Sequence, residues 1–251
     1  IERLRQIRPA VPLEVNLGNE IDLLGYDLPA TQRAGEPLPL VVYWRVRRGG
    51  RGELMYAFFA HLIDERGRRW AQDDPTGFPS HSWWAGDLVV QFFAVRAPVD
   101  APPGSYHFDL GVYEKNSGQR LAQLNGADSL TLQPVALTPA RRPPAEGELS
   151  SEKSVNARFD GRLALLGFTV ATRILNLEDQ TEIALLWQAA GVGRADVEME
   201  LTLTDEQGAT RSLGRRPLLD GDYPLPQWEA GQVVRDRFDL AHSADIPRGL
   251  Y

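Results

Sequence analysis

The run Asp64-Glu65-Arg66-Gly67, which ends a strand-like stretch and precedes Trp83-Trp84-Ala85-Gly86, is written a second time. The second version reads Asp205-Glu206-Gln207-Gly208 and leads to Trp228-Glu229-Ala230-Gly231. The full copies run from Tyr56 to Gly86 and from Val197 to Gly231, each crossing a loop rich in Pro, Gly and Asp. A unit of this length is too short for a propeller blade and too long for a solenoid repeat, so the repetition predicts two similar domains in tandem.

Working outward, the repeat extends upstream. Leu23-Leu24-Gly25-Tyr26 returns as Leu165-Leu166-Gly167-Phe168, and Trp44 returns as Trp187. Leu40, Val42, Trp44 and Val46 alternate with other residues, as do Ile183, Leu185, Trp187 and Ala189. A period of two places these side chains on one face of a strand. Short alternating strands broken by Gly, Pro and Asp turns predict an all-β chain of two tandem immunoglobulin-like β-sandwiches. Asn116-Ser117-Gly118 reads as a hairpin turn between Tyr106–Lys115 and Gln119–Leu124.

The expected organisation is a leader over 1–12, a first sandwich over 13–134, a linker over 135–154 and a second sandwich over 155–251. Pro139, Pro143 and Pro144 hold the linker extended in this reading. Ile246-Pro247-Arg248-Gly249-Leu250-Tyr251 echoes Pro102-Pro103-Gly104-Ser105-Tyr106. The first copy then continues into another hairpin, so the second is expected to be incomplete at its C-terminus, in a fragment of a longer protein.

Composition narrows the function classes. The chain has 251 residues, 43% hydrophobic and 24% charged, within the range of folded globular domains. A net charge of -7 argues against nucleic acid as a partner, which requires a clustered positive field. With no Cys, thiolate metal sites, disulfides and a Cys nucleophile are excluded. No apolar run reaches the roughly 20 residues that a membrane helix needs.

The copies agree on one strand face and differ on the other. Tyr56, Phe58, Ala60 and Leu62 match Val197, Met199, Leu201 and Leu203, and these form the expected core. On the opposite face Ala57, Phe59 and His61 stand against Glu198, Glu200 and Thr202, while Val90, Phe92 and Ala94 stand against Arg235, Arg237 and Asp239. An apolar outer face in the first copy has two readings. Either further segments of the same domain cover Ala57, Phe59, Val90, Phe92 and Ala94, or these residues form an interface with copy two, a second chain or another domain.

Candidate chemistry is sparse. His61, His81, His107 and His242 lack metal-ligand spacing. Asp73-Asp74 and Asp220-x-Asp222 lie in matching loops, where acidic residues cap turns more often than they hold Ca²⁺, so neither a metal nor a cofactor is expected. No nucleophile elbow or phosphate-binding loop is present, and no catalytic residue is assigned. Aromatic faces beside carboxylates suit pyranose rings. Trp83, Trp84 and Trp70, with Asp73, Asp74 and His61, are therefore the candidate glycan-binding residues. Aligning Trp84 with Trp228 makes that pair the plugs at the sandwich ends. It leaves Trp83, opposite Gln227, as the better ligand residue.

The string Phe58-Phe59-Ala60-His61-Leu62-Ile63-Asp64-Glu65-Arg66-Gly67 carries a resemblance, together with Trp84-Ala85-Gly86, Pro103-Gly104-Ser105-Tyr106 and Gly111-Val112-Tyr113. It resembles an extracytoplasmic module found after the membrane-spanning part of bacterial proteins similar to dolichyl-phosphate-mannose-dependent mannosyltransferases, glycosyltransferase family 39. The resemblance covers nearly all of the first copy and, more weakly, the second, where Thr202 replaces the His. It implies a module without catalytic residues of its own, tethered outside the membrane through the membrane-spanning part of the same polypeptide. Its expected task is to bind or position a glycan or acceptor. The alternative is a structural or protein-interaction module without a ligand, with a homo-oligomer through the outer face of the first sandwich among its expected forms.

Overall fold

A computed structural model of the chain describes residues 8–49, 55–75, 79–145, 147–172, 180–191 and 196–241. The chain is all-β and divides into two compact units, Ile1–Pro98 with Ser105–Thr138 and Val99–Gly104 with Pro139–Tyr251. Each is a β-sandwich built from the alternating strands. Among the described residues no helix is long and apolar enough to cross a membrane.

In the first unit one sheet contains β1 (Val11–Leu17), β2 (Ile21–Asp27), β4 (Pro37–Val46) and β7 (Leu88–Arg96), in the order β1-β2-β4-β7. The facing sheet runs β3-β10-β8-β5-β6, from β3 (Thr31–Arg33), β5 (Tyr56–Asp64), β6 (Arg69–Asp73), β8 (Gly104–Glu114) and β10 (Val135–Thr138). The short β9 (Leu130–Thr131) pairs with β8. Consecutive strands change sheets between β4 and β5 and between β7 and β8, the Greek-key crossing of an immunoglobulin-like sandwich.

The inward row is the one the alternation marks. Leu40, Val42 and Trp44 of β4 face Phe58, Ala60 and Leu62 of β5, all at most 1% exposed, and Trp44 stacks on Phe58 with ring centroids 5.0 Å apart. Burial of each such side chain contributes about 1.5–3 kcal/mol. The acidic turn at the end of β5 is an Asx turn. Asp64 Oδ1 accepts from the Arg66 and Arg68 amides and Oδ2 from Trp70 Nε1. Its duplicate repeats the geometry, with Asp205 Oδ1 accepting from the Gln207 and Ala209 amides.

The second unit follows the same plan. β11 (Lys153–Phe159), β12 (Leu163–Val170), β13 (Gln180–Ala189) and β16 (Val233–Ala241) form one sheet in that order, and β14 (Glu198–Thr204) pairs with β15 (Thr210–Pro217). Trp187, Tyr223, Trp228, Val234 and Phe238 centre its core, with Met199 and Leu201 of β14 only partly buried against it. Among the described residues no counterparts of β8, β9 and β10 are present in this unit. The Ile246–Tyr251 echo lies outside the described residues.

The segment boundaries differ from the expected ones. Val135–Thr138 is not linker but the strand β10, parallel to β3 through Ala136↔Thr31 and Thr138↔Arg33, because Val135 and Leu137 alternate into the core at 0% and 3% exposure. Lys153 and Ser154 belong to β11, and Val11 and Pro12, expected in the leader, open β1. Residues Val99–Gly104 group with the second unit rather than the first. The segment after Asn116-Ser117-Gly118 adds no paired strand. It returns through isolated bridges, Tyr113↔Arg120 and Leu17↔Gln123.

Candidate functional site

The structure separates the residues grouped by sequence. Trp83 is 3% exposed, stacked on Tyr56 at 6.2 Å and tilted against Phe58 at 6.0 Å, so its indole is a core element and presents no open face to a sugar. Trp70 is also interior, 9% exposed, held by Asp64 and packed edge-on against Tyr106 at 6.4 Å. Trp84 is the reverse case, 76% exposed.

The expected pairing of Trp84 with Trp228 is therefore corrected. Trp83 closes the 3₁₀ turn Ser80–Ser82 at φ −78°, ψ 140°, and Trp228 closes Leu225–Gln227 at φ −80°, ψ 138°. Trp228 is 2% exposed and stacks on Tyr223 at 5.9 Å. The equivalent plugs are Trp83 and Trp228, and the position equivalent to Trp84 is Glu229. Ala85-Gly86 and Ala230-Gly231 fix this register without a gap, and the extra length of the second copy's loop lies wholly ahead of Trp228.

Trp84 sits on a turn fixed at several points. Its amide donates to Asp87 Oδ2 at 2.8 Å, Asp87 N donates to the Trp84 carbonyl at 3.0 Å, and Gly86 N donates to the Val46 carbonyl at 2.8 Å. Gly49 lies against the turn so closely that a Cβ there would stand 2.3 Å from the Trp83 carbonyl oxygen and 2.6 Å from Trp84 Cα. The second unit builds the same turn with Glu229 at the tip. Glu229 N donates to Gln232 Oε1 at 2.9 Å, Gln232 N to the Glu229 carbonyl at 2.9 Å, and Gly231 N to the Ala189 carbonyl at 2.8 Å. The turn forms equally with a carboxylate at its tip, so folding does not require an indole there.

His61, Asp74 and Asp73 lie elsewhere in the unit. His61 occupies the outer face of β5, opposite Asp109 on β8 and Gln72 on β6. Its Nε2 is 3.8 Å from Asp74 Oδ1, and Asp74 Oδ2 accepts from Gln72 Nε2 at 3.0 Å. Burial pushes the His61 pKa down, opposed by Asp74 and Asp109 and reinforced by Arg69 and Arg120. Asp109 accepts from Thr131 Oγ1 at 2.8 Å and lies 3.9 Å from His107 Nε2. Asp73 serves the fold, accepting from the Ala94 amide at 2.8 Å. Asp109 and Gln72 went unnoticed in the sequence and His107 was not grouped with His61, although the alternation of β8 marks His107 and Asp109 as outward. Among the described residues no group of three or more His, Asp or Glu is placed to hold a metal ion.

The apolar outer face also divides. Ala57 and Phe59 are 1% and 2% exposed, covered within their own unit. The Arg120 guanidinium lies 4.5 Å over the Phe59 ring, with His61 at 4.8 Å and Tyr113 at 6.3 Å. These two residues are unavailable to an interface. Phe92 is 67% exposed, Ala94 is exposed and Val90 is half-buried, so on β7 the face is open.

No protein-family model matches the chain, and no curated protein matches it.

Proposed function

We propose that this chain is a non-catalytic recognition module that holds a glycan or glycosylated acceptor against the indole of Trp84. The carrying observation is the contrast between two copies of one turn: the same hydrogen bonds form around Trp84 and around Glu229. A large aromatic exposed to 76% on a turn that folds without it has its use in contact with a partner. Pinning by Asp87, Val46 and Gly49 lowers the ordering cost of binding to it. The motif string Phe58–Gly67 and its companions support placing the module outside the membrane, attached to the membrane-spanning part of a glycosyltransferase-like protein. Calorimetric titration against a diverse glycan panel tests the reading. Heat of binding that disappears in Trp84→Glu, a residue taken from the second copy's own turn, supports it. A blank panel, or binding unchanged in that variant, rejects it.

A second reading rests on a different residue. Phe92 stands 67% exposed where the equivalent Arg237 of the second unit is occupied by Glu182, with Nη2 to Oε2 at 2.7 Å. With Val90 and Ala94 beside it, Phe92 suits a protein partner, and Phe92→Ser would then abolish capture of that partner while leaving glycan titrations untouched.

A further inference from the structure

We propose that the Arg120 guanidinium is an acid-released cover over the Phe59 ring, and that His61 is the group that releases it. Three side chains pack around this ring, Arg120 at 4.5 Å from its centroid, His61 at 4.8 Å and Tyr113 at 6.3 Å. The ring also rests closely against Gly111, its cross-strand partner on β8. Arg120 can leave without disturbing a strand. It follows the Asn116-Ser117-Gly118 turn, its side chain is 39% exposed, and its ion pair is with the exposed Asp128 at 3.5 Å. An exposed pair restrains its side chains weakly, so the guanidinium can swing out while the Arg120 backbone stays bridged to Tyr113.

His61 shares the ring with Arg120. Its side chain is 14% exposed, and Nε2 lies 3.8 Å from Asp74 Oδ1, beyond hydrogen-bond reach. The charged groups facing it are Asp74 after β6, Arg69 on β6, Asp109 on β8 and Arg120 on the returning segment. His107 lies beyond Asp109, 3.9 Å from its Oδ1. Burial and the two guanidinium groups disfavour the imidazolium, the two carboxylates favour it, and the balance holds the imidazole pKa below the ordinary 6.5. The covered ring therefore goes with neutral His61. Its cover is complete above that ordinary value and is lost as the pH falls through the lower one.

Such coupling is reciprocal. The factor by which Arg120 weakens proton binding at His61 is the factor by which a proton on His61 weakens the hold of Arg120 on the ring. Protonation also draws the imidazole toward Asp74, where a charge-assisted hydrogen bond can close the 3.8 Å gap. The second unit shows that the fold needs neither group. Glu200 and Thr202 stand at the positions of Phe59 and His61, and Glu200 accepts from Ser212 Oγ at 2.8 Å. There the outer face is solvated, as an antiparallel sheet allows.

Proton NMR of the full chain from neutral to mildly acidic pH tests the proposal. At neutral pH the ring current of Phe59 should shift the Arg120 side-chain resonances upfield. That shift should vanish on acidification with the same midpoint as the His61 ring protons, a comparison that needs no variant. His61→Gln should keep the shift through the same range, and Arg120→Gln should raise the His61 midpoint. Unchanged circular dichroism will show that both variants are folded. Arg120 resonances that stay upfield while His61 titrates overturn the proposal. A shift that is lost at the midpoint of His107, or equally in His61→Gln, assigns the release to another group and overturns it too. So does a His61 midpoint that is the same in Arg120→Gln, because the two groups are then uncoupled.

Discussion

The ring of Phe59 lies against the backbone of Gly111, its cross-strand partner on β8, so that a Cβ added to Gly111 would meet Phe59 Cζ at 2.4 Å and Cε1 at 2.5 Å. The Arg120 guanidinium, 4.5 Å over the ring, also packs against it. Gly111→Ala is expected to destabilise the first unit by about 1–3 kcal/mol through overpacking. The loss should fall well short of additive with Phe59→Ala, which removes the atoms in the way. Denaturant titration of the single and double variants checks this.

The two indoles that close equivalent turns should behave unlike the third that sits beside one of them. Trp228→Ala opens the core and is expected to cost about 3–5 kcal/mol. Trp84→Glu should change stability by less than about 0.5 kcal/mol, as expected of a solvated side chain. Thermal unfolding distinguishes them, and a large loss in Trp84→Glu would contradict the assignment of Trp84 as a surface residue.

Arg216 of β15 holds two carboxylates at once. Its Nε and Nη2 donate to Asp220 Oδ1 at 3.0 and 2.6 Å, Nη1 reaches Asp236 at 3.3 Å, and its guanidinium lies 4.0 Å over the Phe238 ring. Asp236 is 1% exposed, so Arg216→Ala leaves a buried charge without its cation and should cost about 3–5 kcal/mol. Arg216→Ala combined with Asp236→Asn should recover part of that loss, because the stranded charge is gone. Chemical denaturation of the four proteins in the cycle measures the coupling.

Acid should unfold the first unit partly through Glu114. The Asn116 and Ser117 amides donate to its carboxylate at 3.0 and 2.7 Å, and these bonds pull its pKa from the ordinary 4.5 down to about 2. A carboxyl group with a lowered folded-state pKa adds stability that is complete above the unfolded value and is lost as the pH falls through the folded one. Stability of the wild type should therefore fall more steeply than that of Glu114→Gln between about pH 4.5 and about pH 2, and run parallel to it above that window. Urea midpoints measured across this range provide the check.

The duplication, the strand faces and the acidic turns were legible in the residues alone, because side-chain alternation along a strand and the Asp-capped turn are set by local covalent geometry. Leu40, Val42 and Trp44, and Ile183, Leu185 and Trp187, needed only their spacing to mark an inward row. Three-dimensional packing alone decided which of the adjacent Trp83 and Trp84 is interior, since both sit on one turn and only the stacking of Tyr56 and Phe58 selects between them. It likewise separated Phe59 from Phe92, whose alternation is the same. Arg120, distant in sequence, returns over Phe59, and among the described residues no such cover lies over Phe92. Alternation reports which way a side chain points; what stands opposite it depends on segments brought back from far along the chain.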